Sequence, residues 1–167
     1  MEKNNHEELK GVIVRAGTVR DWPFIQQLAL ESIHYSMSPI RGVSKEQMVA
    51  YRRQCMSGFW AWVQRSQSKV FVAEEKERIG YLILNDCTTE ELTGGTQAWV
   101  MDIAVKPEYW GKGVARKLMQ HAEAHCLHEK IKFIGLAVTT ANQRAASLYQ
   151  SLGYQEERKL MVKKLSD

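Results

Sequence analysis

Gly111-Lys112-Gly113 sits inside "VKPEYWGKGVARKLM" (Val105 to Met119), between an apolar β-branched stretch and a helix-forming one. The first four N–H groups of a helix lack internal partners and its dipole is positive there, so this helix start could seat a phosphate. Gly111 and Gly113 would let a ligand reach the backbone with no Cβ in the way. Arg116 and Lys117, in the first turn after Val114 and Ala115, oppose the dipole, and a bound polyanion would offset that. Two familiar phosphate motifs fail here. Lys106 stands where a P-loop needs its first glycine and Gly113 where it needs Ser or Thr, and Arg116 replaces the third glycine of a dinucleotide fingerprint. On these residues alone, a plain loop entering a helix is an equal alternative.

A second stretch, "NQRAASLYQSLGY" (Asn142 to Tyr154), puts Asn142, Ala145, Ala146 and Tyr149 on one helical face and turns Leu148 and Leu152 to the core. An amide, two alanines and a phenol leave room for a ligand to lie along that face, although Asn142 also suits an ordinary N-cap. His121, His125 and His128 invite a metal reading. Ala122 stands where an HExxH motif needs its glutamate, so a solvated histidine edge is expected and no metal.

The elements that would position these residues follow from periodicity. "GVIVRA" (Gly11 to Ala16) reads as a strand, and "TVRD" starts a helix with Ile25, Leu28, Ala29 and Ile33 on its inner face. A loop, "SMSPIRGVS", leads to a second helix from about Lys45, with Met48, Tyr51, Cys55 and Trp62 along one side. "KVFVAEE" and "RIGYLILND" form a hairpin, and "QAWVMDIAV" is a further strand. A helix from about Gly113 to Glu129 buries Ala115, Leu118, Met119, Ala122 and Cys126. "FIGLAV" is a buried strand, the Asn142 helix ends at Gly153, and "RKLMVKKL" closes the sheet. The fold class is α/β, one mixed sheet with helices on its faces.

Of the 167 residues, 44% are hydrophobic and 25% charged, as in an ordinary globular protein, with one domain expected over 11–167 and a disordered leader over 1–10. No apolar run reaches the roughly 20 residues of a membrane span, and the polar start lacks a signal peptide's apolar middle. The three cysteines are far apart and odd in number, which argues for reduced thiols and a cytoplasmic location. The net charge of +4 is spread along the chain, with no basic stripe for nucleic acid.

Taken together, the two stretches resemble the GNAT acetyltransferase superfamily. There a (Q/R)-x-x-G-x-(G/A) loop grips the CoA pyrophosphate through backbone amides and an N-x-x-A-x-x-L-Y helix follows. Gly113 and Ala115 match the loop, Trp110 departs from its Gln/Arg, and Asn142, Ala145, Leu148, Tyr149, Gly153 and Tyr154 match the helix. The resemblance implies a mostly antiparallel sheet of six to seven strands with about four helices. It implies acetyl-CoA as co-substrate, held by Gly111, Lys112, Gly113, Val114, Ala115, Arg116, Asn142, Ala145 and the backbone of Ile103, Ala104 and Val105. It also implies Tyr149 as general acid to the departing thiolate, and it admits a homodimer.

The resemblance further implies direct acetyl transfer to a primary amine of a small molecule, peptide or protein. A longer acyl-CoA, or a non-catalytic CoA-binding regulatory module, is the alternative. The family often places a glutamate on the strand before the loop, where this chain has Trp99 and Met101. Asp102 is the strand's only carboxylate, but strict alternation puts Trp99, Met101, Ile103 and Val105 on one face and Asp102 on the other. Asp102, Glu31, His34 or a water chain could serve as base. His34, Tyr35, Trp99 and Met101 are the expected acceptor contacts. The stretch from His34 to Arg65 carries Arg41, Lys45, Arg52, Arg53 and Arg65 against Glu46, a poor balance for a polycationic acceptor.

Overall fold

A computed structural model describes residues 11–165; the expected leader at 1–10 lies outside them. The first strand, β1 (Ile13–Ala16), pairs antiparallel with β2 (Lys69–Glu74), β2 with β3 (Arg78–Thr89), and β3 with β4 (Thr96–Val105). A two-residue strand, β5 (Ile134–Gly135), runs parallel to β4 and ends the order β1-β2-β3-β4-β5. Helices α1 (Trp22–Ser32) and α2 (Lys45–Arg65) cover one face; α3 (Val114–His128) and α4 (Gln143–Ser151) cover the other.

Local chemistry sets these elements. Thr18 and Asp21 form a capping box in the short 3₁₀ turn before α1, and Ser44 and Gln47 form another at the start of α2. Asp21 is 1% exposed. Arg15 donates to both its oxygens at 2.9 Å and Arg78 to one at 2.7 Å, so a single carboxylate ties β1, α1 and β3 together. Arg15 first, and the Thr18 N–H and hydroxyl after it, hold its pKa well below the usual carboxylate range.

Three expected features differ. In α2 the buried positions are Met56 and Val63, with Arg52 and Phe59 half-buried beside them, while Tyr51 is 70% exposed and Cys55 exposed. The 52-56-59-63 spacing is itself helical, and it turns Arg52 toward the sheet. "FIGLAV" pairs with β4 only at Ile134 and Gly135, and Phe133 is exposed. "RKLMVKKL" forms no strand: Leu160, Met161 and Leu165 are exposed and among the described residues the sheet has five strands, not six or seven. A closing strand needs an edge of comparable length, and β5 offers two residues.

Candidate functional site

The site is built around an irregularity in β4. Asp102 pairs with Ile83, but the next pair is Val100 with Leu84, so Met101 is an extra, unopposed residue: a β-bulge. Below the bulge Ala98 and Val100 pack toward α3 and α4; above it Ile103 and Val105 do the same, while Ala104 faces α1 and α2. The bulge therefore overturns the strict alternation expected for this strand. Trp99 and Asp102 now share the face toward α1 and α2, and Met101 is 37% exposed.

Asp102 is held there from two sides. Arg52, reaching down from α2, forms an ion pair with Oδ2, and the buried Tyr81 hydroxyl donates to the same oxygen at 2.8 Å. Burial raises the Asp102 pKa, while Arg52 and Tyr81 pull it down. On the other face, Tyr149 from α4 is 9% exposed. Burial first, and the Asp102 charge second, push its phenol up to about 12. A carboxylate and a protonated phenol thus sit near one another across the bulge.

The edge of β4 beyond it is open. The parallel ladder stops at Ala98–Ile134 and Trp99–Gly135, so among the described residues Ile103, Ala104 and Val105 have no strand partner on that side. A Cβ on Gly135 would stand 2.8 Å from the Trp99 ring, so glycine is what lets β5 approach here before it diverges. The cleft so opened leads to the glycine loop. Gly111 (φ 74°) and Gly113 (φ 84°) adopt left-handed backbone, and a Cβ on either would meet nothing within 4 Å. Gly113 caps α3, presenting the free N–H groups of that helix to open space. An open strand edge that leads to a helix N-terminus can take an extended ligand with a phosphate head.

Residues expected at the site divide as follows. Asn142 caps α4 by accepting from the Ala145 N–H at 3.3 Å through Oδ1, which leaves its amide donors available. Arg116 donates to Ser151 Oγ at 2.7 Å, and the Lys112 ammonium lies 5.0 Å from the Tyr109 ring. His34 lies tilted against Tyr35 with ring centroids 3.7 Å apart, its Nδ1 buried and, among the described residues, without a hydrogen-bond partner. Glu31 accepts from Gln27 on the outer face of α1. The histidines of α3 go separate ways: His121 and His125 meet Phe71, and His125 also pairs with Asp86 at 2.7 Å. Among the described residues no group of His, Cys, Asp or Glu is placed to hold a metal, and no helix is long and apolar enough to cross a membrane.

Tyr81, bonded to Asp102, and Arg144, over Trp110, are two neighbours of these residues that their sequence spacing does not single out. Tyr81 lies in an apolar run, where a buried phenol needs a partner, so its hydroxyl was the available signal. Arg144 opens α4 against the helix dipole, the same signal that singled out Arg116 and Lys117.

The model of the acetyltransferase (GNAT) family matches residues 30–154, and the chain belongs to that family. A thialysine N-epsilon-acetyltransferase from Bos taurus is 37% identical over 62 residues, which is 37% of this chain and 36% of that protein; the match thus spans about a third of the curated relative. Among solved structures, a mutant of the BH1408 protein from Bacillus halodurans superposes with a TM-score of 0.74 at 24% identity, covering 92% of this chain and 99% of that one. A GCN5-related N-acetyltransferase from Ralstonia eutropha gives 0.71 at 16% identity, covering 93% and 100%. At these identities the structures establish the fold, a single α/β domain of the acetyltransferase kind.

Proposed function

We propose that this chain moves an acetyl group from acetyl-CoA to a primary amine by direct attack within a ternary complex. The observation that carries the reading is the joining of two features: the unpaired edge of β4, and the open glycine loop at the start of α3. The N–H groups from Gly111 to Arg116 take the pyrophosphate, and the Asn142 amide donates to the pantetheine arm. Ala145, a small residue on the same face of α4, leaves that arm room. The backbone of Ile103, Ala104 and Val105 lines the arm and supplies the donor that stabilises the oxyanion, a contribution typically of a few kcal/mol.

In the reaction the amine nitrogen forms a bond to the thioester carbon and the C–S bond breaks. Tyr149, whose pKa of about 12 keeps it protonated at neutral pH, gives its proton to the departing sulfur. Asp102 takes the proton lost by the amine. Its raised pKa suits that role, and the bulge sets Trp99 beside it on the α1/α2 side, where His34, Tyr35, Trp99 and Met101 leave the acceptor its path. The partial match to a thialysine acetyltransferase supports a small amine as acceptor.

The test is thiol release from acetyl-CoA across a panel of small-molecule and peptide amines, with parallel calorimetric titration of CoA. Amine-dependent release is expected. CoA binding without turnover on any amine would make the chain a regulatory module. Faster release from a longer acyl-CoA would reassign the acyl donor.

A further inference from the structure

Trp110 occupies the loop position where the family pattern has Gln or Arg, so the loop brings no polar side chain of that kind to the phosphates. The indole is instead fixed in place by its own N–H, which donates to the Val105 carbonyl at 2.7 Å. Tyr35, from the turn after α1, meets it edge-on with ring centroids 4.7 Å apart. Onto this ring comes Arg144, the second residue of α4. Its guanidinium carbon lies 3.3 Å from the Trp110 ring centroid and 5.6 Å from that of Tyr35.

A guanidinium lying over an aromatic face keeps its N–H donors in its own plane, where the ring does not use them. Among the described residues no carboxylate pairs with Arg144. Its side chain is exposed, so those donors are accessible, and partial burial of the group lowers its pKa against the opposing effect of Tyr35. Its carrier, Trp110, is the residue next to Gly111. The cation is therefore preorganised at the margin of the phosphate seat, although it comes from a different helix.

We propose that Arg144, laid on the Trp110 ring, is a cofactor-binding residue that gives the CoA pyrophosphate the side-chain donors position 110 lacks. This rests on the acetyl-CoA reading above. It accounts for the tryptophan as a platform that holds a guanidinium beside the loop, in place of a donor carried by the loop itself.

The experiment is calorimetric titration of wild type and Arg144→Ala with CoA and with 3′-dephospho-CoA, which keeps the pyrophosphate. Loss of one charge-assisted phosphate contact should weaken CoA binding about tenfold. The same loss is expected for 3′-dephospho-CoA, with the unfolding midpoint of the ligand-free protein unchanged. Equal CoA affinity in wild type and variant would overturn the proposal. So would a loss seen with CoA but absent with 3′-dephospho-CoA, which would move Arg144 to the 3′-phosphate. Failure of the wild type to bind CoA at all would overturn the acetyl-CoA reading itself.

Discussion

Tyr149→Phe removes one oxygen and leaves everything else that side chain does. The ring is 9% exposed, belongs to the core between the sheet and α3, and packs against Tyr154 at 5.9 Å. Its hydroxyl makes no hydrogen bond to the described protein, so the variant strands no partner and should unfold at nearly the wild-type midpoint. The loss falls on catalysis. General acids contribute roughly 10²–10⁴ in rate, and a thiolate, whose conjugate acid has a pKa of about 8.5, is a good enough leaving group to place the effect near the lower end. A fall of about 100-fold in kcat is expected, equivalent to about 3 kcal/mol. Because the phenol titrates at about 12, wild-type kcat should show no alkaline limb from Tyr149 below about pH 10. Initial rates of thiol release give kcat, and CoA titration gives affinity, which should not change. An unchanged kcat, or a kcat loss matched by an equal loss of CoA affinity, would refute the assignment.

Gly113→Ala forces a Cβ into left-handed backbone at φ 84° and into the open space above the loop. A stability loss of about 1–2 kcal/mol is expected from the backbone, with a rise of more than about tenfold in the CoA dissociation constant. Chemical unfolding and calorimetry separate the two effects, and unchanged CoA affinity would clear the loop of its role. Asp102→Asn leaves Arg52 without its counter-charge, lowering stability by about 1–3 kcal/mol. If Asp102 is the base, wild-type kcat/KM falls as pH drops through its raised pKa, above the ordinary value of about 3.9, and Asp102→Asn abolishes that limb. Persistence of the limb would point to another base. Asp21→Asn should cost about 2 kcal/mol in urea unfolding at pH 7, less than for a fully buried pair because Arg15 and Arg78 are 32% and 42% exposed. The Asp21 pKa is lowered by folding, so its contribution is complete above about pH 4 and is lost as pH falls further. The gap between wild type and variant should narrow below that pH.

Much of the candidate site's local structure was readable because it depends on local chemistry. The Gly111–Gly113 helix start and the Asn142–Tyr149 face are each set by spacing within one element, and both stand where periodicity puts them. What escaped was decided between elements. The bulge at Met101 comes from how β4 registers against β3, and nothing in "QAWVMDIAV" alone announces it; it put Trp99 on the same face as Asp102, where strict alternation separates the two. The inner face of α2 turned by one position because Met56 and Val63 bury there and Arg52 finds Asp102 some fifty residues away in sequence. The apolar-basic segment at the C-terminal end reads as a strand by composition, yet β5 is too short an edge to receive it. Arg144, Trp110 and Tyr35 meet from three separate segments, which no spacing rule connects.

The most direct measurement of the central claim is backbone hydrogen exchange with and without CoA. The N–H groups from Gly111 to Arg116 and those of Ile103 and Val105, which alternate with the β3-bonded amides and so face the open edge of β4, should slow together on addition of CoA. Amides of α2 and β1, on the far side of the sheet, should change little. Protection of both the loop and that edge is the predicted result. CoA binding that leaves both unprotected would contradict the account.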